Sequence, residues 1–395
     1  MRLEERPERS PVRSGPRTPP VVGPIYQTTI FSLDDQSYSD IRATGGLHET
    51  WYSRFRNPTV DEAAAAIADL EHGAAGLMTS SGMAAIATTL VTLLRSGDRV
   101  IAAKELYGDT RDLLVRDLAS FGVEVDLVDA TDAGAWRAAV ARKPPQVIYA
   151  ETLSNPQLRL LDIPFLAELA RESRATLVVD NTFATPYAVQ PLAHGAHVVI
   201  NSVTKYLNGH SDVTAGCVVA DAVTIERCQQ RLITFGGCLD PLAAFLILRG
   251  LKTFELRLAR QTASAGRVAE FLEKRTDVAR VFYPGLASYP QAELARRMLK
   301  GNRCGAMVTF VVKGGDERAG LVMRRLERVA EATSLGGVES LVSSPPTSSQ
   351  FNLSRSELDE VGIVPGMLRL SVGVEDGDQL IDDLRQALDD TSVQD

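Results

Sequence analysis

The chain has 395 residues, of which 45 % are hydrophobic and 23 % charged, and its net charge is −8. That length can bury a sizeable core and suggests two domains, with three conceivable, while the acidic balance gives no general electrostatic ground for binding nucleic acid or an anionic membrane. No apolar stretch approaches the roughly eighteen residues of a spanning helix and the N-terminus lacks a signal-peptide core, so a cytoplasmic protein is expected.

Arg2 to Pro20 is basic and proline-rich. It is short and lacks aromatics, so it reads as a solvated arm rather than a nucleic-acid tail. An irregular segment follows to about Thr59, and the Ala-rich run Val60 to Leu70 has helical propensity. Short apolar runs then recur at Gly76–Met78, Val100–Ala103, Val123–Val128, Val147–Ala150, Leu177–Val179, Val198–Ile200 and Cys217–Ala220, separated by helical patterns. This alternation predicts an α/β fold with a mostly parallel sheet covered on both faces. A helical connector from Pro241 to Arg260 and on to about Lys274 leads into a smaller C-terminal α+β domain, with strands near Met307–Val312 and Met367–Val372. The expected divisions are 1–59, 60–250 and 251–395.

The four cysteines at positions 217, 228, 238 and 304 form no CxxC pair, so neither a disulfide framework nor a thiolate metal site is expected. His194 and His197 are the only close histidine pair, with no cysteine or carboxylate patterned beside them, and no metal is expected there.

Several segments place chemistry at strand ends. Thr79-Ser80-Ser81-Gly82-Met83 joins a strand to a helix, where exposed backbone N–H groups and the helix dipole favour a phosphate, although Ser-Gly is also a common cap. Tyr107 follows the second strand and can lie over a flat ligand or simply pack. Asn155, in a turn after Glu151, can bond a ligand oxygen or merely form the turn. Asp180 ends the run Thr176–Val179 and can hold a pyridinium nitrogen. Lys205 follows Val198–Ile200 with Ser202 and Thr204 beside it, and a lysine amine at a buried strand end can form a Schiff base if its pKa is lowered. Together, Asp180 and Lys205 form the recurring pair of pyridoxal-phosphate sites. Arg369, inside the apolar strand Leu368–Val372, needs an anion: a substrate α-carboxylate or an internal partner.

Taken together, these segments resemble the Cys/Met-metabolism family of pyridoxal-phosphate enzymes, which spans lyases and transferases acting on cystathionine, methionine and O-acylhomoserines. The likeness runs from Pro24-Ile25-Tyr26-Gln27-Thr28 to Arg369-Leu370-Ser371-Val372-Gly373-Val374-Glu375. It includes Tyr52-Ser53-Arg54, Asn57-Pro58-Thr59, Asp180 through Pro186, Ser202 through Asp212 and Ser334-Leu335-Gly336-Gly337. The resemblance implies an aminotransferase-like fold of type I, with a large pyridoxal-phosphate-binding domain and a smaller C-terminal one. It implies that Lys205 carries pyridoxal 5'-phosphate and shuttles protons, that Asp180 holds the pyridinium, and that Tyr107 stacks on the ring and serves the leaving group. Gly82, Met83, Ser202 and Thr204 would bind the phosphate, with Tyr52 and Arg54 supplied by a neighbouring subunit. The self-association so implied is a homodimer at least, and the family is usually a homotetramer. Asn155, Ser334 and Arg369 would hold the cofactor oxygen and the carboxylate of a small amino-acid substrate. The implied reaction is γ-elimination or γ-replacement of transsulfuration type on a sulfur amino acid or an O-activated homoserine. Methionine γ-lyase chemistry or β-elimination is the alternative within the enzymes, and a non-catalytic cofactor-binding subunit is the alternative class.

Departures from the family pattern fall on substrate recognition. Cystathionine-handling members usually carry an acid before Tyr-Ser-Arg, an arginine two residues after the threonine of Tyr-Gly-Gly-Thr, and a glutamate before Ser-Leu-Gly-Gly. This chain has Trp51, Asp112 and Thr333 at those places. Asp109 replaces the second glycine of Tyr-Gly-Gly-Thr, and Thr347-Ser348-Ser349 replaces Met-Thr-His. A γ-acting enzyme with a substrate other than cystathionine is therefore expected.

Overall fold

A computed structural model describes residues 20–391. Most of the basic arm from Arg2 to Pro20 lies outside them. The larger of two sheets comprises β1 (Ala75–Thr79), β2 (Arg99–Ala103), β3 (Glu124–Val128), β4 (Val147–Glu151), β5 (Thr176–Asp180), β6 (Val198–Ser202) and β7 (Gly216–Ala220). Their spatial order is β1-β7-β6-β5-β4-β2-β3. All seven predicted runs are strands. Only β7 is reversed, pairing antiparallel with both β1 and β6, because Val203–Ala215 returns directly instead of crossing over through a helix. Every residue of β2 and β7 is buried, as is nearly all of β4 and β6. Successive side chains point to opposite faces, so such strands are covered on both.

The parallel directions bring the C-terminal ends of β1, β2, β4, β5 and β6 to one edge of the sheet. The chain reverses its direction of travel across the sheet at β2, which pairs with β3 on one side and β4 on the other. Ligands of open α/β sheets bind outside such carboxyl ends. Gly216, which begins β7 at the same edge, is a close-approach glycine: a Cβ there would lie 2.3 Å from the Ser81 carbonyl oxygen.

The second sheet contains β8 (Val278–Phe282), β9 (Met307–Val312), β10 (Ala330–Glu331), β11 (Leu341–Ser343) and β12 (Met367–Ser371), in the order β10-β11-β12-β9-β8. Its two longest apolar strands, β9 and β12, were predicted, and β8, β10 and β11 were not. Arg280 interrupts the apolar character of β8, an edge strand with two exposed residues, while β10 and β11 are too short to display a period. The helical connector is two helices, Pro241–Leu251 and Phe254–Glu273, broken at Lys252-Thr253.

The segment expected to be irregular up to Thr59 contains the helix Asp35–Thr44. It buries none of its residues, so it carries no apolar stripe. Its signals are instead the Asp34 cap, which accepts from the Ser37 N–H at 2.8 Å, and Gly45 at φ 68°. The next helix begins at Pro58, two residues before the expected start, with Asn57 as its cap.

Candidate active site

At that edge lies a cavity of about 330 Å³, bounded by the strand ends of the large sheet and by Thr333–Leu335 and Arg369 from the C-terminal part. Lys205 lies on the turn after β6, and its Nζ donates to Ser334 Oγ at 2.7 Å. Burial lowers its pKa to about 8, with a smaller contribution from the Arg369 charge. Ser334 holds a left-handed φ of 75°, a backbone state costly for a non-glycine residue. Two residues on, Gly336 adopts φ 81° and a Cβ there would lie 2.6 Å from the Tyr206 nitrogen. The Ser334–Gly336 segment therefore rests directly on the Lys205–Tyr206 backbone.

Arg369 is buried in β12 and reaches across to the same place. One guanidinium nitrogen donates to Asn155 Oδ1 at 3.0 Å and the other to the Ser334 carbonyl at 3.2 Å. Burial holds its pKa down to about 10. Asn155 precedes a cis proline, and its carbonyl accepts from the Gln350 side-chain amide at 3.0 Å. Both readings left open for Arg369 therefore meet here: it has internal partners, and it faces a cavity that can admit a carboxylate.

Asp180 ends β5 beside Glu151 at the end of β4, the two being register partners. One Asp180 oxygen accepts from the Thr182 N–H at 2.9 Å, and Glu151 accepts from the Tyr107 N–H at 2.7 Å. Burial raises both carboxyl pKa values, and the neighbouring Asp180 charge pushes Glu151 up further. Two adjacent buried carboxylates do not both ionise cheaply. A cation placed against Asp180 relieves that repulsion, and a pyridinium N–H is such a cation. Glu151 was not among the predicted functional residues. Its signal was its strand-end position next to Asp180, which becomes visible only once β4 and β5 pair.

The helix Gly82–Leu93 points its N-terminus into the cavity, capped by the Ser81 hydroxyl on the Ala84 N–H at 3.0 Å. A Cβ on Gly82 would stand 2.8 Å from Ser202 Cβ, so the helix start and the end of β6 close to form an anion cradle. Ser202, Gly82, Met83 and Thr204 all line it. Thr204, however, donates its hydroxyl hydrogen to the Ala215 carbonyl at 3.1 Å, which leaves Ser202 as the freer hydroxyl. Thr182 and Thr214, which no strand-end pattern in the sequence marks as functional, add hydroxyls to the cavity wall. The cradle, Asp180 and Lys205 together fit pyridoxal 5'-phosphate.

Among the substrate-reading positions, Thr333 lines the cavity, and so do Ser348 and Ser349 of the altered Thr347-Ser348-Ser349 stretch. Tyr107 also lines it, and its hydroxyl donates to Asp109 Oδ2 at 2.7 Å, while Asp109, expected in the substrate site, touches this wall residue without itself lining the cavity. Asp112, expected in the substrate site, is turned away: its Oδ2 accepts from Asn352 at 2.7 Å and pairs with Arg116 at 3.2 Å. Neighbouring Arg111 is bound to Glu357 at 2.9 Å. Trp51 is also absent from the cavity, because its ring packs on Phe55 with centroids 4.5 Å apart and its indole N–H donates to Gly46. Tyr52 and Arg54 line a separate groove with Gln27, Thr28 and Asp240, and Arg54 donates to the Ile233 carbonyl at 2.8 Å.

Among the described residues, no cluster of metal-ligating side chains is present and no helix is long and apolar enough to cross a membrane. The four cysteines are free thiols.

Residues 9–389 match the family described as Cys/Met metabolism PLP-dependent enzyme. The chain is 41 % identical over 370 residues to the L-methionine gamma-lyase of Pseudomonas putida, covering 93 % of this chain and 92 % of that protein. It is 37 % identical over 375 residues to the cystathionine gamma-lyase of Bacillus subtilis, covering 94 % and 95 %. The cystathionine gamma synthase of Xanthomonas oryzae pv. oryzae, solved in complex with cystathionine, superposes with a TM-score of 0.88 at 37 % identity over 94 % of this chain and 93 % of that one. A Campylobacter jejuni structure carrying N'-pyridoxyl-lysine-5'-monophosphate superposes equally well, at 0.88 and 30 % identity over 93 % and 95 %.

Proposed function

Because the chain belongs to the Cys/Met-metabolism family of pyridoxal-phosphate-dependent enzymes, we propose that it eliminates or replaces the γ-substituent of an amino acid other than cystathionine. The bound cofactor supplies an electron sink for a carbanion at Cα. The remaining work falls to side chains of this chain. Arg369, held by Asn155 and the Ser334 carbonyl, offers a planar donor pair to the substrate carboxylate. Lys205, whose amine is neutral above about pH 8, takes the proton from Cα and serves as the mobile base at Cβ. Asp180 would hold the pyridine nitrogen protonated, beside Glu151, whose pKa is raised by burial and by the neighbouring Asp180 charge. Ser202 and the first turn of Gly82–Leu93 receive the phosphate.

The observation that carries the substrate reading is the loss of free positive charge beyond Tyr107. Arg111 is paired with Glu357, and the neighbouring place holds Asp112, itself paired. A distal carboxylate such as that of cystathionine finds no unpaired cation on this segment. Incubating the holoenzyme with cystathionine, methionine, homocysteine, cysteine and O-acylhomoserines, with and without a thiol, tests the reading. Formation of 2-oxobutanoate or a new thioether from a substrate other than cystathionine supports it. Pyruvate alone would assign β-elimination instead, and comparable turnover of cystathionine and every smaller substrate would overturn the exclusion.

We further propose a cytoplasmic homodimer at least, with homotetramer the usual state for the family. The placement of Tyr52 and Arg54 in a groove away from their own chain's Lys205 supports two-subunit sites.

A further inference from the structure

We propose that Asp109 makes this cavity select an amino acid whose γ-substituent is cationic, a sulfonium or a guanidinium-type group. The inference rests on the γ-acting reading above and narrows it.

Asp109 sits in the first turn of the helix Gly108–Asp112, where an acid is favoured by the helix dipole alone. Its contact goes beyond that role: Oδ2 accepts the hydrogen of the Tyr107 hydroxyl at 2.7 Å, and Tyr107 is a cavity wall. A carboxylate accepts about four hydrogen bonds. One is taken by the phenol, so capacity remains for a donor or a cation arriving beside it.

The charges around the cavity point the same way. Its lining contains two acids, Asp180 and Glu151, which adjoin each other at the place assigned to the pyridine nitrogen, and two cations, Lys205 and Arg369. The first is the cofactor amine and the second is bound to Asn155 and Ser334 opposite the expected α-carboxylate. Near Tyr107, Arg111 is neutralised by Glu357, and Thr333 brings no charge. Among the described residues of this segment, Asp109 is the acid in contact with the cavity wall, with no basic partner. A γ-substituent bearing a carboxylate meets like charge, and one bearing a positive charge meets its counter-ion.

The leaving step agrees with this choice. When a sulfonium departs, the Cβ–H electron pair becomes the new Cβ=Cγ bond and its proton goes to Lys205. The Cγ–S pair leaves on sulfur as a neutral thioether. No proton is required from Tyr107, whose hydroxyl hydrogen is already given to Asp109.

The test uses three unreactive six-carbon amino acids: L-lysine with a terminal cation, L-norleucine with a methyl group and L-2-aminoadipate with a carboxylate. Each is titrated into the holoenzyme, with the change in visible cofactor absorbance reporting binding. The expected order of affinity is lysine, norleucine, 2-aminoadipate, with at least about tenfold between the ends, since like-charge contacts cost that much or more. In Asp109→Asn the ends should converge to within about threefold while norleucine binding stays constant, because only the charge–charge component is removed. Asp109→Ser serves as the second variant if the asparagine protein does not hold norleucine. S-methylmethionine should also exceed methionine in kcat/KM for the native enzyme, and this advantage should vanish in the variants. A flat or inverted order in the native protein overturns the proposal, as does an order that survives both substitutions. A spectrum that none of the three amino acids perturbs would instead sink the reading of an amino-acid-processing enzyme.

Discussion

Glu71 ends the helix Pro58–Leu70 fully buried, and its Oε1 accepts from the side-chain amide of Asn201 at 2.7 Å and from that of Asn181 at 3.0 Å. Each asparagine adjoins a cofactor position: Asn181 follows Asp180, and Asn201 precedes Ser202. Thr152 donates to Asn181 Oδ1 at 2.8 Å, extending the network under β4, β5 and β6. One carboxyl thus fixes the spacing between the residue that would hold the pyridine nitrogen and the one that would hold the phosphate.

Burial raises the Glu71 pKa to about 7. A folded-state pKa above the unfolded value means that the native protein binds the extra proton, so this group's contribution to stability falls as pH rises from about 4.5 to 7. Glu71→Gln keeps the double acceptor and has no charge to bury. It should melt close to the native protein at pH 5 and above it at pH 8. Glu71→Ala orphans the buried Asn201 amide and leaves that of Asn181 with only the Val189 carbonyl, so it should lose about 1–3 kcal/mol together with cofactor affinity, measured by thermal melts and equilibrium dialysis. A Glu71→Gln protein that melts lower than native at pH 8 would show that the buried charge is stabilising.

Lys205 offers a second pH signature. With its pKa lowered to about 8, the amine is mostly protonated at pH 6 and mostly free at pH 9. Capture of added pyridoxal phosphate by the apoprotein should accelerate about tenfold per pH unit below that value and level off above it. Stopped-flow absorbance checks this, and Lys205→Ala should retain no covalent capture at any pH. A profile still rising at pH 10 would place the amine in its ordinary solution state and remove the role assigned to burial.

The parts of the site that could be read from sequence are those fixed by position relative to a strand. Asp180 and Lys205 follow apolar runs, so the parallel sheet alone brings them to one edge. Glu71 could not be read this way, because its meaning depends on Asn201, 130 residues away. The orientation of Asp112 is likewise decided by Asn352, at a separation of 240 residues, and no local pattern says whether a side chain in a helical turn faces the cavity or a later loop. The same reason hides Glu151, whose partner is on the adjacent strand. The short strands β10 and β11 are defined by what they pair with, not by their own two and three residues.

Arg369 should prove irreplaceable by lysine. Its two nitrogens span Asn155 Oδ1 and the Ser334 carbonyl, a fork that an ammonium cannot reproduce. Arg369→Lys and Arg369→Ala should each raise KM for the amino acid about 100-fold, with a smaller fall in kcat, as expected when a carboxylate loses its paired donors. The charge of Arg369 also helps to lower the Lys205 pKa, so the alanine variant should shift the capture profile to higher pH. Unchanged KM in both variants would leave Arg369 with only its internal partners.

Arg54 allows the two-subunit site to be tested without a structure of the assembly. Its guanidinium lies over Tyr52 and donates to the Ile233 carbonyl, in a groove separate from the Lys205 cavity. If that groove faces a partner's cavity, Lys205→Ala and Arg54→Ala are each nearly inactive for different reasons. A Lys205→Ala subunit still offers an intact Arg54, and an Arg54→Ala subunit still offers an intact lysine. Random pairing of equal amounts makes half of the dimers mixed, each with one complete site of two, so the mixture should recover about a quarter of native activity. The measurement is activity after mild dissociation and remixing, with light scattering to establish that mixed oligomers form. Mixed oligomers with no recovered activity would assign Arg54 to its own chain, and a fully active Arg54→Ala enzyme would remove it from the site altogether.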